Sequence, residues 1–354
     1  MSAKNLAPLR RRLLRWYDKN KRDLPWRKTR DPYAIWVAET MLQQTQVKTV
    51  IPYYERFLKA FPTVEALARA PQQRILRMWS GLGYYRRAEN LNQAARQLVR
   101  RYDGKIPRNH DALRSLPGVG DYTAGAVLSI AYQKRYPALD GNARRVLNRL
   151  FNLTDNTELH SRALQLVPRS RSGDFNQALM ELGATLCAPR KPDCAACPVA
   201  ADCATRSGDY LAAVSQRRSA PAISAVTWPL AIVHHSGKLL LRRRAATGLL
   251  AHLWEFPGGE AMKRNELETT LRWQLRALPT EFSTARRIGE FRHSITYRRI
   301  RAPIYVFDYL PATEMRFPAP HWRWIQRSNL TNYPMSSMTR KALRVFDIHE
   351  KSLS

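Results

Sequence analysis

Cys187-Ala188-Pro189-Arg190-Lys191-Pro192-Asp193-Cys194-Ala195-Ala196-Cys197-Pro198-Val199-Ala200-Ala201-Asp202-Cys203 holds every cysteine of the 354-residue chain. The gaps between the thiols are six, two and five residues. Four thiols this close can converge on one centre, and in a reducing compartment that centre is zinc or an iron–sulfur cluster. Zinc ribbons hold two Cys-x-x-Cys pairs apart by a longer insert. One such pair inside a compact run fits a cuboidal cluster better. The bland alternative, disulfide pairing, belongs to short secreted chains.

Outward from this loop, composition narrows the partners. Lys and Arg number 59 against 28 Asp and Glu, a formal charge of +31. That excess costs self-repulsion and calls for a polyanion, with nucleic acid the leading candidate. The charge is spread through ordered-looking sequence with nine tryptophans rather than gathered in low-complexity tails. A folded nucleic-acid enzyme is therefore expected, not a tail-driven binder. Leu6, Leu9, Leu13 and Leu14 lie among basic residues, an amphipathic helix pattern without the continuous apolar run of a signal peptide. No apolar run reaches a membrane span, so no membrane partner is expected and the location read is cytoplasmic, on the nucleoid.

Residues 1–206 read as helical, with apolar residues at three-and-four spacing in 33–44, 47–60, 84–100, 121–133, 143–151 and 175–186. Pro and Gly breakers separate them, as at Gly81-Leu82-Gly83 and Leu116-Pro117-Gly118. Residues 207–226 lack any period and read as a linker. From 227 to 348 the period changes. Leu230–Val233 and Lys238–Leu241 flank His235-Ser236-Gly237 as a hairpin would, and Ile304–Phe307 is another strand candidate. The stretches 264–277 and 336–347 look helical. The chain is thus multidomain: an all-α domain carrying the cysteine loop, then an α+β domain.

Three stretches can carry chemistry. Glu39 is the only carboxylate in the apolar run Tyr33–Gln46. Burial there would favour its neutral form, as a general acid at neutral pH requires; an amphipathic surface helix would show the same lone glutamate. Leu116-Pro117-Gly118-Val119-Gly120-Asp121-Tyr122 places two glycines before a helix. Such a hairpin, over about 112–133, can turn amides toward a phosphate, although a plain helix turn with a Gly cap is common. Asp140, in Leu139-Asp140-Gly141-Asn142, stands just before a helix and reads as an N-cap, a reactive carboxylate, or both.

Helix–hairpin–helix, aspartate and four cysteines at these spacings resemble the endonuclease III superfamily of base-excision DNA glycosylases. The Glu39 segment, Gly81-Leu82-Gly83-Tyr84-Tyr85 and Asp140-Gly141-Asn142 are similar to its MutY family of adenine DNA glycosylases. The likeness spans about 23–206. Leu253-Trp254-Glu255-Phe256-Pro257-Gly258-Gly259-Glu260 resembles the Nudix-like lesion-recognition domain of that family. Hydrolytic relatives of that domain bind magnesium through an Arg-Glu-x-x-Glu-Glu helix. Here the next stretch reads Asn265-Glu266-Leu267-Glu268-Thr269-Thr270, so a binding module without hydrolase activity is expected.

The resemblance implies a monofunctional DNA glycosylase that flips and excises adenine opposite 8-oxoguanine or guanine in double-stranded DNA, leaving an abasic site. By this resemblance Glu39 protonates the purine, Asp140, kept ionised by hydrogen bonds or the helix N-terminus, stabilises the sugar cation or forms a transient covalent adduct with it, Tyr122 hydrogen-bonds within the site near Glu39 and the developing charge, and Asn142 supports Glu39 or a water. Trp26, Arg27 and Gln177 match positions around the flipped adenine. Leu42, Gln44 and Tyr84 match positions that enter the duplex, and Gly118, Val119 and Gly120 the phosphate hairpin. Cys187, Cys194, Cys197 and Cys203 would bind a [4Fe–4S] cluster, with Arg190 and Lys191 suited to phosphates. The family's Phe-Ser-His tip is altered. Setting it on Phe291-Arg292-His293 loses the hydroxyl, so Thr296 and Tyr297, with His293, are taken as the lesion readers. A bifunctional glycosylase/lyase is the first alternative, but Tyr122 stands where those relatives have a nucleophilic lysine. A catalytically silent damage-binding protein is the second, opposed by the retention of both Glu39 and Asp140. A monomer is expected.

Overall fold

The computed structural model describes residues 6–153, 155–206, 222–261, 266–276, 281–282, 285–310 and 321–352. Most of the expected linker, 207–221, and the ends of the 264–277 stretch lie outside the described residues. Packing divides the chain into two units, Met1–Ala70 with Arg86–Arg218, and Pro71–Tyr85 with Ser219–Ser354. Helical periodicity places 71–85 in the first stretch of the sequence but does not say what a helix packs against.

The first unit contains α1 (Ala7–Asn20), α2 (Pro32–Leu42), α3 (Val47–Ala60) and α4 (Val64–Arg69). After α5 (Gln72–Trp79), which belongs to the second unit, it continues with α6 (Arg86–Tyr102), α7 (His110–Arg114), α8 (Asp121–Ile130), α9 (Gly141–Phe151), α10 (Asn156–Leu166) and α11 (Ser172–Thr185). One core joins α1, through Leu9, Leu13 and Tyr17, to apolar faces of α9, α10 and α11. Cys187, Cys197 and Cys203 pack against that core, so the cysteine loop closes over the α9–α11 end.

The second unit holds β1 (Ser224–Thr227), β2 (Leu230–His235), β3 (Lys238–Arg243), β4 (Trp254–Glu255), α12 (Leu267–Leu275), β5 (Glu281–Phe282), β6 (Arg286–Ile295), β7 (Arg298–Leu310), β8 (Trp322–Gln326) and α13 (Ser337–Lys351). The sheet runs β1-β7-β2-β3-β4, with β5 and β6 also on β7 and β8 on β3. Leu230 and Ile232 face one core with Met338, Ala342 and Phe346 of α13. Ala231 and Val233 face another with Leu271 and Leu275 of α12. Burial on both faces explains why β2 reads as a continuous apolar run. The β2–β3 turn is Ser236-Gly237, both at positive φ, as tight hairpins favour. Ser80 fastens α5 within this unit: its hydroxyl accepts from the Met335 amide at 3.2 Å and from Arg340 at 2.9 Å.

Candidate active site

Helix α2 has no solvent face. Asp31 caps it, accepting from the amides of Tyr33 and Ala34 at 3.0 and 3.3 Å, with Pro32 in the first turn where no amide is needed. Every residue from Tyr33 to Met41 is buried. Glu39 is therefore held inside, 4% exposed. Burial, opposed by the hydrogen bond from Tyr122 and reinforced by Asp140, pushes its carboxyl up to about 7. The Tyr122 hydroxyl, from the first turn of α8, donates to Glu39 Oε2. Burial and the two carboxylates raise the Tyr122 phenol well above its usual range, so it is a neutral donor.

Asp140 caps α9. Its Oδ1 accepts from the Ala143 amide at 2.6 Å and its Oδ2 from Asn142 Nδ2 at 3.1 Å. Burial raises its carboxyl above the usual range, while these hydrogen bonds and the charge of Arg145 oppose the rise. Asp140 is thus the N-cap of α9 and also faces the cavity. Of the two roles the sequence reading gave Asn142, support of Glu39 or of a water, no hydrogen bond to Glu39 is formed; its partners are Asp140 and Arg145. It sits two residues past the cap, so its amide reaches back to Asp140, and its Oδ1 accepts from Arg145 at 2.8 Å.

Two glycines let neighbouring helices press on this segment. A Cβ on Gly125 of α8 would lie 2.1 Å from the Pro137 carbonyl oxygen. One on Gly183 of α11 would lie 2.6 Å from Asn142 Cβ and 2.9 Å from its carbonyl oxygen. Only glycine permits either approach.

Glu39, Tyr122, Asp140 and Asn142 line one cavity of about 680 Å³. Trp26, Arg27 and Gln177 share its wall, as do Leu42 and Gln44, Gly118 and Gly120. Gln44 has a φ of +55° and Gly118 of +76°. Val119 does not join them: its side chain is buried and its amide donates to the Leu116 carbonyl at 3.1 Å, closing the turn. Tyr84 lies in the second unit, 47% exposed, with a φ of +48°. No lysine lies among the described residues lining the cavity.

Sequence reasoning passed over three residues that organise the site. Glu181, also on the wall, is wholly buried and paired with Arg22 and Arg27. Spacing does not single it out, because α11 also carries Asp174, and its two arginine partners lie more than 150 positions away. Arg87, buried on α6, donates to the carbonyls of Thr40 and Met41 at 3.0 and 2.8 Å and to that of Gln43. It thereby caps the end of α2 and holds the Leu42–Gln44 turn.

All four cysteines are free thiols and line a single apolar cavity. Among the described residues no three His, Cys, Asp or Glu side chains converge as a single metal ion would require. Burial, then the charges of the other three cysteines, pushes the Cys197 thiol up. These four thiols are the residues that could hold a metal centre. Arg149 is buried against them, with Nη1 3.3 Å from Cys187 Sγ. Arg190 and Lys191 are exposed.

In the second unit, Ile295 pairs with Arg298, so Thr296 and Tyr297 form the two-residue tip between β6 and β7. Thr296 has a φ of +51°, and Tyr297 is 55% exposed. His293 lies back from the tip, within 3.3 Å of the Ser337 hydroxyl on α13. Burial, with Lys341 nearby, pulls its pKa down. Among its described residues α12 carries one acid, Glu268, which pairs with Arg272 at 2.8 Å rather than joining an acidic cluster.

Residues 37–169 match the HhH-GPD superfamily of base excision DNA repair proteins, and 229–345 match the NUDIX domain. An adenine DNA glycosylase of Rattus norvegicus is 35% identical over 98% of this chain and 79% of its own length. That of Homo sapiens is 34% identical over 94% of this chain and 73% of its own. Among solved structures, a thermostable thymine-DNA glycosylase aligns at 36% identity with a TM-score of 0.54, covering 57% of this chain and 96% of its own.

Proposed function

The chain belongs to the adenine DNA glycosylase family, and from that premise we propose that it excises adenine opposite 8-oxoguanine or guanine in duplex DNA, leaving an abasic site. The observation that carries this is Glu39: a buried carboxyl near pKa 7, hydrogen-bonded to Tyr122 and facing the same cavity as Asp140.

The flipped adenine enters the cavity beside Trp26, Arg27 and Gln177. Protonated Glu39 gives its proton to the purine ring, so the base leaves neutral. Tyr122 holds the carboxyl in place. The C–N bond breaks with its electron pair moving to adenine, and positive charge spreads over the sugar. Asp140, aimed by Ala143 and Asn142, stabilises that charge until water adds to the sugar and gives a proton back to the Glu39 carboxylate. No lysine among the described residues of the wall supplies the amine of a lyase. Leu42 and Gln44 fill the vacated stack, offsetting part of the unstacking cost.

Cys187, Cys194, Cys197 and Cys203 would hold a [4Fe–4S] cluster, which supplies a structural centre for the loop that presents Arg190 and Lys191 to phosphates. The second unit reads the base opposite adenine through Thr296 and Tyr297, and the protein acts as a monomer at the nucleoid. No described helix is long and apolar enough to cross a membrane.

The test is single-turnover excision on an A:8-oxoguanine duplex, with and without an alkali step. Strand breaks that appear only after alkali support the reading. Binding without any excision would sink it.

A further inference from the structure

Among the described residues of the cavity wall, two charged groups, Glu181 and Arg22, have no part in the mechanism above. Glu181 stands one helical turn after Gln177 on α11 and its side chain has no exposed surface. A buried carboxylate survives only with its lone pairs met. Glu181 Oε1 accepts from the Arg22 amide at 3.2 Å and from Arg22 Nε at 2.7 Å, and Oε2 from Arg22 Nη2 at 2.8 Å and from Arg27 Nη2 at 2.6 Å. Arg27 is fixed further by donating to the Arg22 carbonyl at 3.0 Å and by lying 5.4 Å over the Tyr17 ring. Burial opposes ionisation of Glu181, yet the hydrogen bonds and charges of both arginines hold its carboxyl at about 2. It is therefore ionised at neutral pH.

The charged and titratable groups acting on Glu39 are Tyr122 from α8, Asp140 at the start of α9 and Arg27 from the 25–27 turn. Arg27 favours the ionised form of Glu39, which is the wrong form for a proton donor. We propose that Glu181 is a positioning residue for base excision: it pins the Arg27 guanidinium at the cavity wall and offsets its charge, so that Glu39 keeps its proton at neutral pH. Arg27 can then meet the base as a hydrogen-bond donor without drawing the proton off the acid.

This inference rests on Glu39 as the acid. Excision then needs protonated Glu39, so the wild-type rate falls as pH rises through about 7. Glu181→Gln adds one net positive charge behind Arg27. It should lower that limb by about one pH unit, the size expected for charges several ångströms apart in a partly desolvated interior. Excision at pH 7.5 should drop about tenfold, recover toward wild type near pH 5.5, and leave mispair affinity within about twofold. Glu181→Asp keeps the charge and should leave the limb in place whatever its rate. Should Glu181→Gln not fold, Arg22→Gln serves, its side chain being 41% exposed. Losing a positive charge there should move the limb upward. A rate lowered by the same factor at every pH in Glu181→Gln overturns the proposal, as does an unmoved limb in Arg22→Gln where that variant must decide. A wild-type profile with no limb at all would instead remove Glu39 as the acid.

Discussion

Glu39 and Asp140 illustrate how two carboxyls acquire different work from their surroundings. Both are raised by burial, but Asp140 keeps an N-cap hydrogen bond to Ala143 and an amide from Asn142, whereas Glu39 has one neutral phenol. Glu39→Gln should cut single-turnover excision by about 10²–10⁴-fold, roughly 3–5 kcal/mol, with duplex binding retained. A rate within tenfold of wild type would remove Glu39 as the acid. Asp140→Asn keeps the cap and loses the charge; near-full activity in that variant would reduce Asp140 to a structural role. Glu181 also has a signature in stability. Its carboxyl sits at about 2 against an ordinary 4.5, so its contribution is complete above about pH 4.5 and is lost as pH falls toward 2. Melting temperatures of wild type should fall more steeply than those of Glu181→Gln across that window; parallel curves would contradict the pairing.

At the scale of elements, the site depends on how closely α8, α9 and α11 approach. Gly183→Ala would drive a methyl into Asn142, and overpacking of that kind costs about 1–3 kcal/mol. Excision should fall at least about tenfold while helical circular dichroism is unchanged, because the error lies in the placement of Asp140 and Asn142. Wild-type excision by Gly183→Ala would show that this segment has slack. The cysteine loop packs on the α1, α9–α11 core, so Cys197→Ser should lower iron and sulfide content and DNA affinity before it alters chemistry. Stoichiometric zinc without iron in anaerobic wild-type protein would overturn the cluster reading. The β6–β7 tip is exposed and holds no core side chain, so Thr296→Ala with Tyr297→Ala should leave folding intact. It should also reduce the preference for A:8-oxoguanine over A:G, and an unchanged preference would move the reader elsewhere.

For the whole molecule, +31 of formal charge predicts DNA affinity that falls linearly in log–log against salt, with a slope of about −0.9 per neutralised phosphate. A flat dependence would detach the charge from DNA. The sequence by itself was enough to determine the helical and the mixed domain, because helix and strand periods are local properties of side-chain order. It also determined the four-thiol loop, since a cluster of cysteines is visible without coordinates; it offered Glu39 as a candidate, but the burial of that carboxyl came from the structure. Only the tertiary structure decided that Asn142 serves Asp140, that Val119 turns inward, that Arg87 caps α2 and that α5 packs with the second unit. It alone joined Glu181 to Arg22 and Arg27, more than 150 positions away. Such pairings depend on which helices meet and at what distance, and no period or spacing along the chain carries that information.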